Sequence, residues 1–230
     1  MSGEQGSVVR VAVIDSGANV PHPHLPTVEG GVAFDLEGRS TDDYVDRLGH
    51  GTAATAAIHE KAPTALLHPV KVFDRELATT VPTLVRAIDW AFERGCRLIN
   101  LSLGTTYDFR EPELAPAVAR AVERGSIIVS AHELGGRPWY PGSMAGVVGV
   151  VMDAAQPRDT VVVVDDESGA AVRASPYPRP IPGVPPERNL NGISFAVANV
   201  TGVLARVLAG APDVRTADQA IQLLRRTATD

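Results

Sequence analysis

A chain of 230 residues with 44% hydrophobic and 21% charged side chains has enough apolar content for one large core, which excludes the disordered and fibrous classes. Its 21 Lys and Arg stand against 27 Asp and Glu, a formal net charge of −6, so it lacks the cationic surface that a nucleic-acid backbone requires. No apolar run approaches the roughly 18 residues of a membrane span, and the single cysteine, Cys96, excludes an internal disulfide or a thiolate metal cluster.

Two periodicities alternate along the chain. Aliphatic, β-branched runs at residues 8–14, 66–73, 97–101, 127–130, 147–152 and 161–164 have the character of strands buried on both faces. Helical spacing occupies residues 51–59, 82–93, 111–124, 195–208 and 217–226. The last helix is preceded by Thr216, with Gln219 three positions on, a capping-box pair. This alternation predicts an α/β fold, a parallel sheet flanked by helices. No repeat or long linker divides the chain, so residues 1–230 are read as one domain. Cys96, set between Ala91 and Leu98, is read as a small core residue. Residues 175–186 hold prolines at 176, 178, 180, 182, 185 and 186, which predicts an extended surface loop. It is either a plain connection or a lid leading into Gly192.

Three short segments each carry one member of an acid, base and nucleophile set. In Val11-Ala12-Val13-Ile14-Asp15-Ser16-Gly17 a buried strand ends in a carboxylate and a turn. Gly49-His50-Gly51-Thr52 places a histidine at the start of an Ala-rich helix, between two glycines. Asn191-Gly192-Ile193-Ser194-Phe195-Ala196 puts a serine at the N-terminus of an apolar helix, where free N–H groups favour negative charge. Singly, these read as a turn cap, a core histidine and an N-cap.

Together, and in the order Asp, His, Ser, the three segments resemble the subtilisin-like serine protease (subtilase) family. Pro69-Val70-Lys71-Val72, Ala87-Ile88-Asp89-Trp90-Ala91, Leu98-Ile99-Asn100-Leu101-Ser102-Leu103-Gly104, Tyr140-Pro141-Gly142 and Gly202 extend the resemblance over nearly the whole chain. It implies a three-layer subtilisin-like fold, a mostly parallel central sheet with helices on both faces. It also implies Ser194 as nucleophile, His50 as its base, Asp15 orienting the imidazole, and the Ser194 backbone N–H as one oxyanion donor. A peptide substrate would lie as an extended strand between Ser102-Leu103-Gly104 and Leu77-Ala78-Thr79. No cofactor is implied.

The chain departs from the family pattern at the second oxyanion donor, an Asn side chain in the family. Here the stretch reads Ser130-Ala131-His132-Glu133-Leu134-Gly135-Gly136. A gap of two residues puts His132 at that position, and no gap puts Leu134 there. His132 as substitute donor, a weakened hole, and rescue by Asn189 or Asn191 all stay open. Loss of such a donor costs about 10²–10³ in turnover, a magnitude measured on a subtilisin. Around the serine, Ile193 and Ala198 replace the family's Thr and Pro. Residues 59–64 are too few for the calcium loop of many relatives, so no metal is expected there. His22-Pro23-His24-Leu25 resembles a family turn rather than a metal site, and Asp42, Asp43 and Asp46 are read as a solvated loop.

With no pro-domain or signal peptide expected before residue 8, the analogy suggests a cytoplasmic enzyme that trims a precursor peptide. The leading expectation is a serine endopeptidase acting through an acyl-enzyme. A catalytically impaired, peptide-binding scaffold and a transpeptidase or macrocyclase are its alternatives. A peptide partner is expected, nucleic acid and membrane are not, and oligomeric state is open.

Overall fold

The computed structural model describes residues 7–25, 27–166 and 169–227; the polar start, Met1–Gln5, lies outside them. In chain order the elements are β1 (Arg10–Asp15), β2 (Val32–Phe34), β3 (Ser40–Thr41), α1 (His50–Lys61), β4 (Leu66–Lys71), α2 (Val81–Glu93), β5 (Leu98–Leu101) and α3 (Glu111–Glu123). They continue with β6 (Ile127–Ala131), β7 (Glu133–Leu134), β8 (Arg137–Pro138), β9 (Val147–Met152), β10 (Val162–Asp166), β11 (Gly169–Ala174), α4 (Ile193–Leu208) and α5 (Ala217–Thr227).

Nine strands form one sheet in the order β10-β11-β9-β6-β5-β1-β4-β2-β3. The ladders from β11 through to β2 are parallel, and only the outermost pairs, β10 with β11 and β2 with β3, are antiparallel. The strand alternation sorts side chains onto two cores. Val11 and Val13 of β1, with Ile127 and Val129 of β6, face α1, α4 and α5. Ala12 and Ile14, with Ile99 of β5 and Ile128 of β6, face α2 and α3. Three layers result, as expected.

Local signals explain the helix boundaries. The Thr216 hydroxyl accepts from Gln219 N–H at 3.2 Å while Gln219 Oε1 accepts from Thr216 N–H at 3.2 Å, the reciprocal bonding of a capping box at α5. Thr80 caps α2 by accepting from Thr83 N–H at 3.3 Å. At the other end of α4, the buried Arg97 guanidinium donates to the Leu208 and Val214 carbonyls at 2.8 Å each, and also to the Ala211 carbonyl. It thereby satisfies the last carbonyl of α4, which a helix C-terminus leaves bare, and ties the connection that follows to β5.

Three features were not expected. The pairs β2–β3 and β7–β8 are too short to show a period, and β11 is a run of small residues, Gly-Ala-Ala-Val-Arg-Ala. The proline-rich segment leaves β11 and is tied to α4: Asn199 Nδ2 donates to the Ser175 and Tyr177 carbonyls at 2.9 and 3.0 Å. Gly192 N–H donates to the Pro176 carbonyl at 2.9 Å, which fixes the approach to Ser194.

Candidate active site

The carboxyl ends of β1 and β5 lie side by side in the sheet, the region where open α/β sheets hold their ligands. Asp15 is the last residue of β1 and is fully buried. Its Oδ1 accepts from Ser16 N–H and meets His50 Nδ1, each at 2.7 Å. With Nδ1 engaged, the other ring nitrogen of His50 is the one left to act as a base in the cleft.

His50 opens α1, and the helix start is pressed against the turn that follows β1. A Cβ on Gly51 would stand 2.3 Å from the Gly17 carbonyl oxygen, so no other residue fits beside the histidine. Gly51 N–H donates to Ser16 Oγ at 2.8 Å, and Thr52 N–H donates to Asp46 Oδ2 at 2.8 Å. Two first-turn donors of α1 are thus satisfied by side chains.

Asp46 corrects the sequence reading. Far from lying in a solvated loop, it is only 5% exposed. Its Oδ1 accepts from Ser16 Oγ, Leu48 N–H and Gly49 N–H at 2.8, 2.9 and 2.8 Å. Its Oδ2 accepts from Thr52 Oγ1 at 2.6 Å as well as from the Thr52 N–H. Burial works to raise its pKa, but these donors, Thr52 foremost, outweigh it and hold the carboxyl below its ordinary value.

Burial likewise lowers the pKa of His50, yet the Asp15 hydrogen bond and charge, with the charge of Asp46, reverse the sign and leave it above the ordinary imidazole value. The imidazole rests on Phe195, the residue after Ser194, with ring centroids 5.1 Å apart. Ser194 sits in the first turn of α4, where its own N–H has no acceptor one helical turn back. Its hydroxyl donates to the Ser102 carbonyl at 3.1 Å, and Ser102 Oγ donates back to the Ser194 carbonyl at 3.3 Å. A buried relay stands behind this pair. Thr201 Oγ1 donates to Asn100 Oδ1 at 2.9 Å, and Asn100 Nδ2 donates to Ser102 Oγ at 2.8 Å. Neither Asn100 nor Thr201 was singled out from sequence.

A cleft of about 590 Å³ joins these parts. Its walls include His50, Ser194, Ser102, Leu103 and Gly104, and, across from them, Leu77, Ala78 and Thr79. The residues assigned to catalysis or to strand binding line this cleft, except Asp15, which is buried and reaches it only through His50, and His132. That side chain does not line the cleft: its Nδ1 lies against β9, 2.7 Å from where a Cβ on Gly149 would be. Asn189 is spent on its own loop, donating to the Arg179 carbonyl at 3.2 Å, and Asn191 is exposed outside the cleft wall. The proline-rich loop does not line the cleft either. His22 and His24 form a turn in which His24 N–H donates to His22 Nδ1 at 3.2 Å. Among the described residues, no group of three His, Cys, Asp or Glu is placed to hold a metal ion.

Comparison with known proteins bears on the family of the chain. A family model described as "Subtilase family" matches residues 6–132, the part holding Asp15 and His50. The thermostable alkaline protease of Halalkalibacterium halodurans is 32% identical over 247 aligned positions, covering 97% of this chain and 63% of that protein. Subtilisin DY of Bacillus licheniformis is 30% identical over 249 positions, covering 99% of this chain and 86% of its own length. The chain belongs to the subtilase family. Among solved structures, a lanthipeptide protease superposes with a TM-score of 0.72 at 20% identity, covering 95% of this chain and 79% of the other. The S41 psychrophilic protease gives 0.70 at 21%, covering 96% and 83%. The chain spans less than two thirds of the length of several full-length relatives.

Proposed function

We propose that this chain is a serine endopeptidase that cuts one bond of a specific precursor peptide through an acyl-enzyme on Ser194. The observation that carries the reading is the 2.7 Å contact of His50 Nδ1 with buried Asp15, in a cleft that His50 shares with Ser194 and the Ser102–Gly104 edge. Ser194 Oγ turns from the Ser102 carbonyl to His50, gives up its proton to the imidazole and attacks the scissile carbonyl carbon. The imidazolium, stabilised by Asp15, then protonates the departing amine as the C–N bond breaks. Water repeats the sequence in reverse, releasing the acid and restoring Ser194. The Ser194 N–H stabilises the oxyanion. The finer part of the proposal, processing of one precursor in the cytoplasm, rests on analogy with the lanthipeptide protease whose fold the chain shares.

A second reading, a peptide-binding scaffold, is favoured by the oxyanion side of the cleft. His132 is turned onto β9, and no Asn or Gln side chain is among the described residues that line the cleft. Incubation with a proteome-derived peptide library in H₂¹⁸O separates the readings by product mass. Hydrolysis yields fragment pairs with ¹⁸O in the new carboxyl group. Ligated or cyclic products without ¹⁸O would point to transpeptidation, and an uncut library that is nonetheless retained on the protein would favour the scaffold.

A further inference from the structure

The wall of the cleft below Gly104 is closed by an indole. Trp139 is half-buried, lines the cleft, and packs with its other side against the core that contains α4. Its Nε1 and Cδ1 stand 2.2 and 2.6 Å from where a Cβ on Gly104 would be. The ring therefore occupies the space that a side chain at position 104 would otherwise take. The backbone holds it there. Thr105 N–H donates to the Tyr140 carbonyl at 2.9 Å, and Tyr140 N–H donates to the Thr105 carbonyl at 2.8 Å, so the strand ends 102–105 and 139–140 are stitched together. The indole N–H is buried without a partner among the described residues. Packing and the neighbouring backbone, with no hydrogen bond of its own, thus hold the ring where it is.

The position of Ser194 turns this into a statement about substrate. Ser194 Oγ is 3.1 Å from the Ser102 carbonyl, so the acyl residue under attack lies along Ser102–Gly104. In an extended peptide on that edge, the side chain of this residue points at the face of Gly104 on which the Trp139 indole stands. We infer that Trp139 is a specificity-determining residue: its indole fills the pocket for the side chain preceding the scissile bond and limits that residue to Gly, Ala or Ser. The inference rests on the proposed role of Ser194 as nucleophile. A filled pocket rejects larger groups by overlap, and even small mismatches in such pockets shift selectivity by about tenfold to a few hundredfold.

The test uses N-acylated aminoalkyl phosphonate diphenyl esters carrying an Ala-like methyl or a Phe-like benzyl group, with the labelling rate of Ser194 read by intact mass. Wild-type protein is expected to label at least about tenfold faster with the methyl probe. Trp139→Ala should raise the benzyl-to-methyl ratio by about tenfold or more, whereas Trp139→Phe should keep the wild-type preference, because ring bulk sets it. Circular dichroism checks that each variant is folded, and the wild-type ratio tests the inference even if Trp139→Ala is not. Equal labelling of the wild type by both probes, or a ratio that Trp139→Ala leaves unchanged, would overturn it. So would loss of the preference in Trp139→Phe. A small fluorophosphonate serves as control. If that reagent fails on the wild type, the nucleophile assignment falls; if it labels while neither aminoalkyl probe does, the nucleophile stands and the acyl-residue placement is wrong.

Discussion

Asp46 accepts five hydrogen bonds on one buried carboxylate, four of them from the segment that carries His50 into the cleft. Its charge also acts on the imidazole, adding to Asp15 in holding the His50 pKa above its ordinary value. General-base catalysis needs neutral His50, so activity rises with pH through that raised pKa. Asp46→Asn removes the more distant of the two negative charges and should move the acid limb of kcat/KM toward lower pH, while lowering stability by about 2–3 kcal/mol. Because the folded-state pKa of Asp46 is depressed, its stabilisation is present above the unfolded carboxyl value of about 3.9 and is lost as pH falls through the folded value. The stability gap between the two proteins should therefore close in acid. A pH–rate profile with urea titrations at pH 7 and pH 3 checks both points, and an unmoved limb would remove Asp46 from the electrostatics of the base. Residues of this kind were not legible beforehand. Loop carboxylates at 42, 43 and 46 look alike in sequence, and only the fold decides which one turns inward. His132 is the converse case: its donor chemistry suits an oxyanion hole, but the backbone after β6 aims it at β9.

At the scale of elements, α1 lies along α4, and its last residue, Lys61, is buried with the ammonium 3.4 Å from both the Ala57 carbonyl and Glu60 Oε2. Burial first, then the charge of Arg158, lowers its pKa to about 8, against partial relief from Glu60. The sign follows from proton uptake. Between about pH 8 and about 10.5 the unfolded chain binds a proton that the folded chain has released, so stability rises with pH over that window. Below pH 8 the buried charge costs about 3 kcal/mol by the same linkage. Lys61→Met should therefore raise stability at pH 7 by about 1–3 kcal/mol and abolish the rise. Urea midpoints at pH 7 and pH 10 test this, and an identical pH dependence in the variant would contradict it. The apolar character of α4 and the Thr216–Gln219 cap made those helices readable from sequence. Edge strands of two or three residues, and β11 with its alanines, carry no comparable signal, since their pairing comes from the sheet that they join.

Over the whole molecule, two cores clamp a parallel sheet so that β1 and β5 present Asp15 and Ser102 at one edge, and α1 and α4 aim His50 and Ser194 at the same cleft. The class of fold was readable because strands buried on both faces leave continuous aliphatic runs. The meeting of three distant segments was readable only through their family resemblance, since spacing along a chain does not fix spacing in space. The relay Thr201–Asn100–Ser102 and the Trp139 wall lie outside both kinds of signal, because their roles arise from contacts between elements far apart in sequence. The most direct measurement of the proposed chemistry is intact-mass spectrometry after exposure to a fluorophosphonate, with Ser194→Ala and His50→Ala alongside. A single adduct on the wild type, absent from Ser194→Ala and strongly slowed in His50→Ala, is expected of a nucleophile activated by its neighbour. An adduct that persists in Ser194→Ala, or none on the folded wild type, would contradict the assignment of Ser194 as the nucleophile.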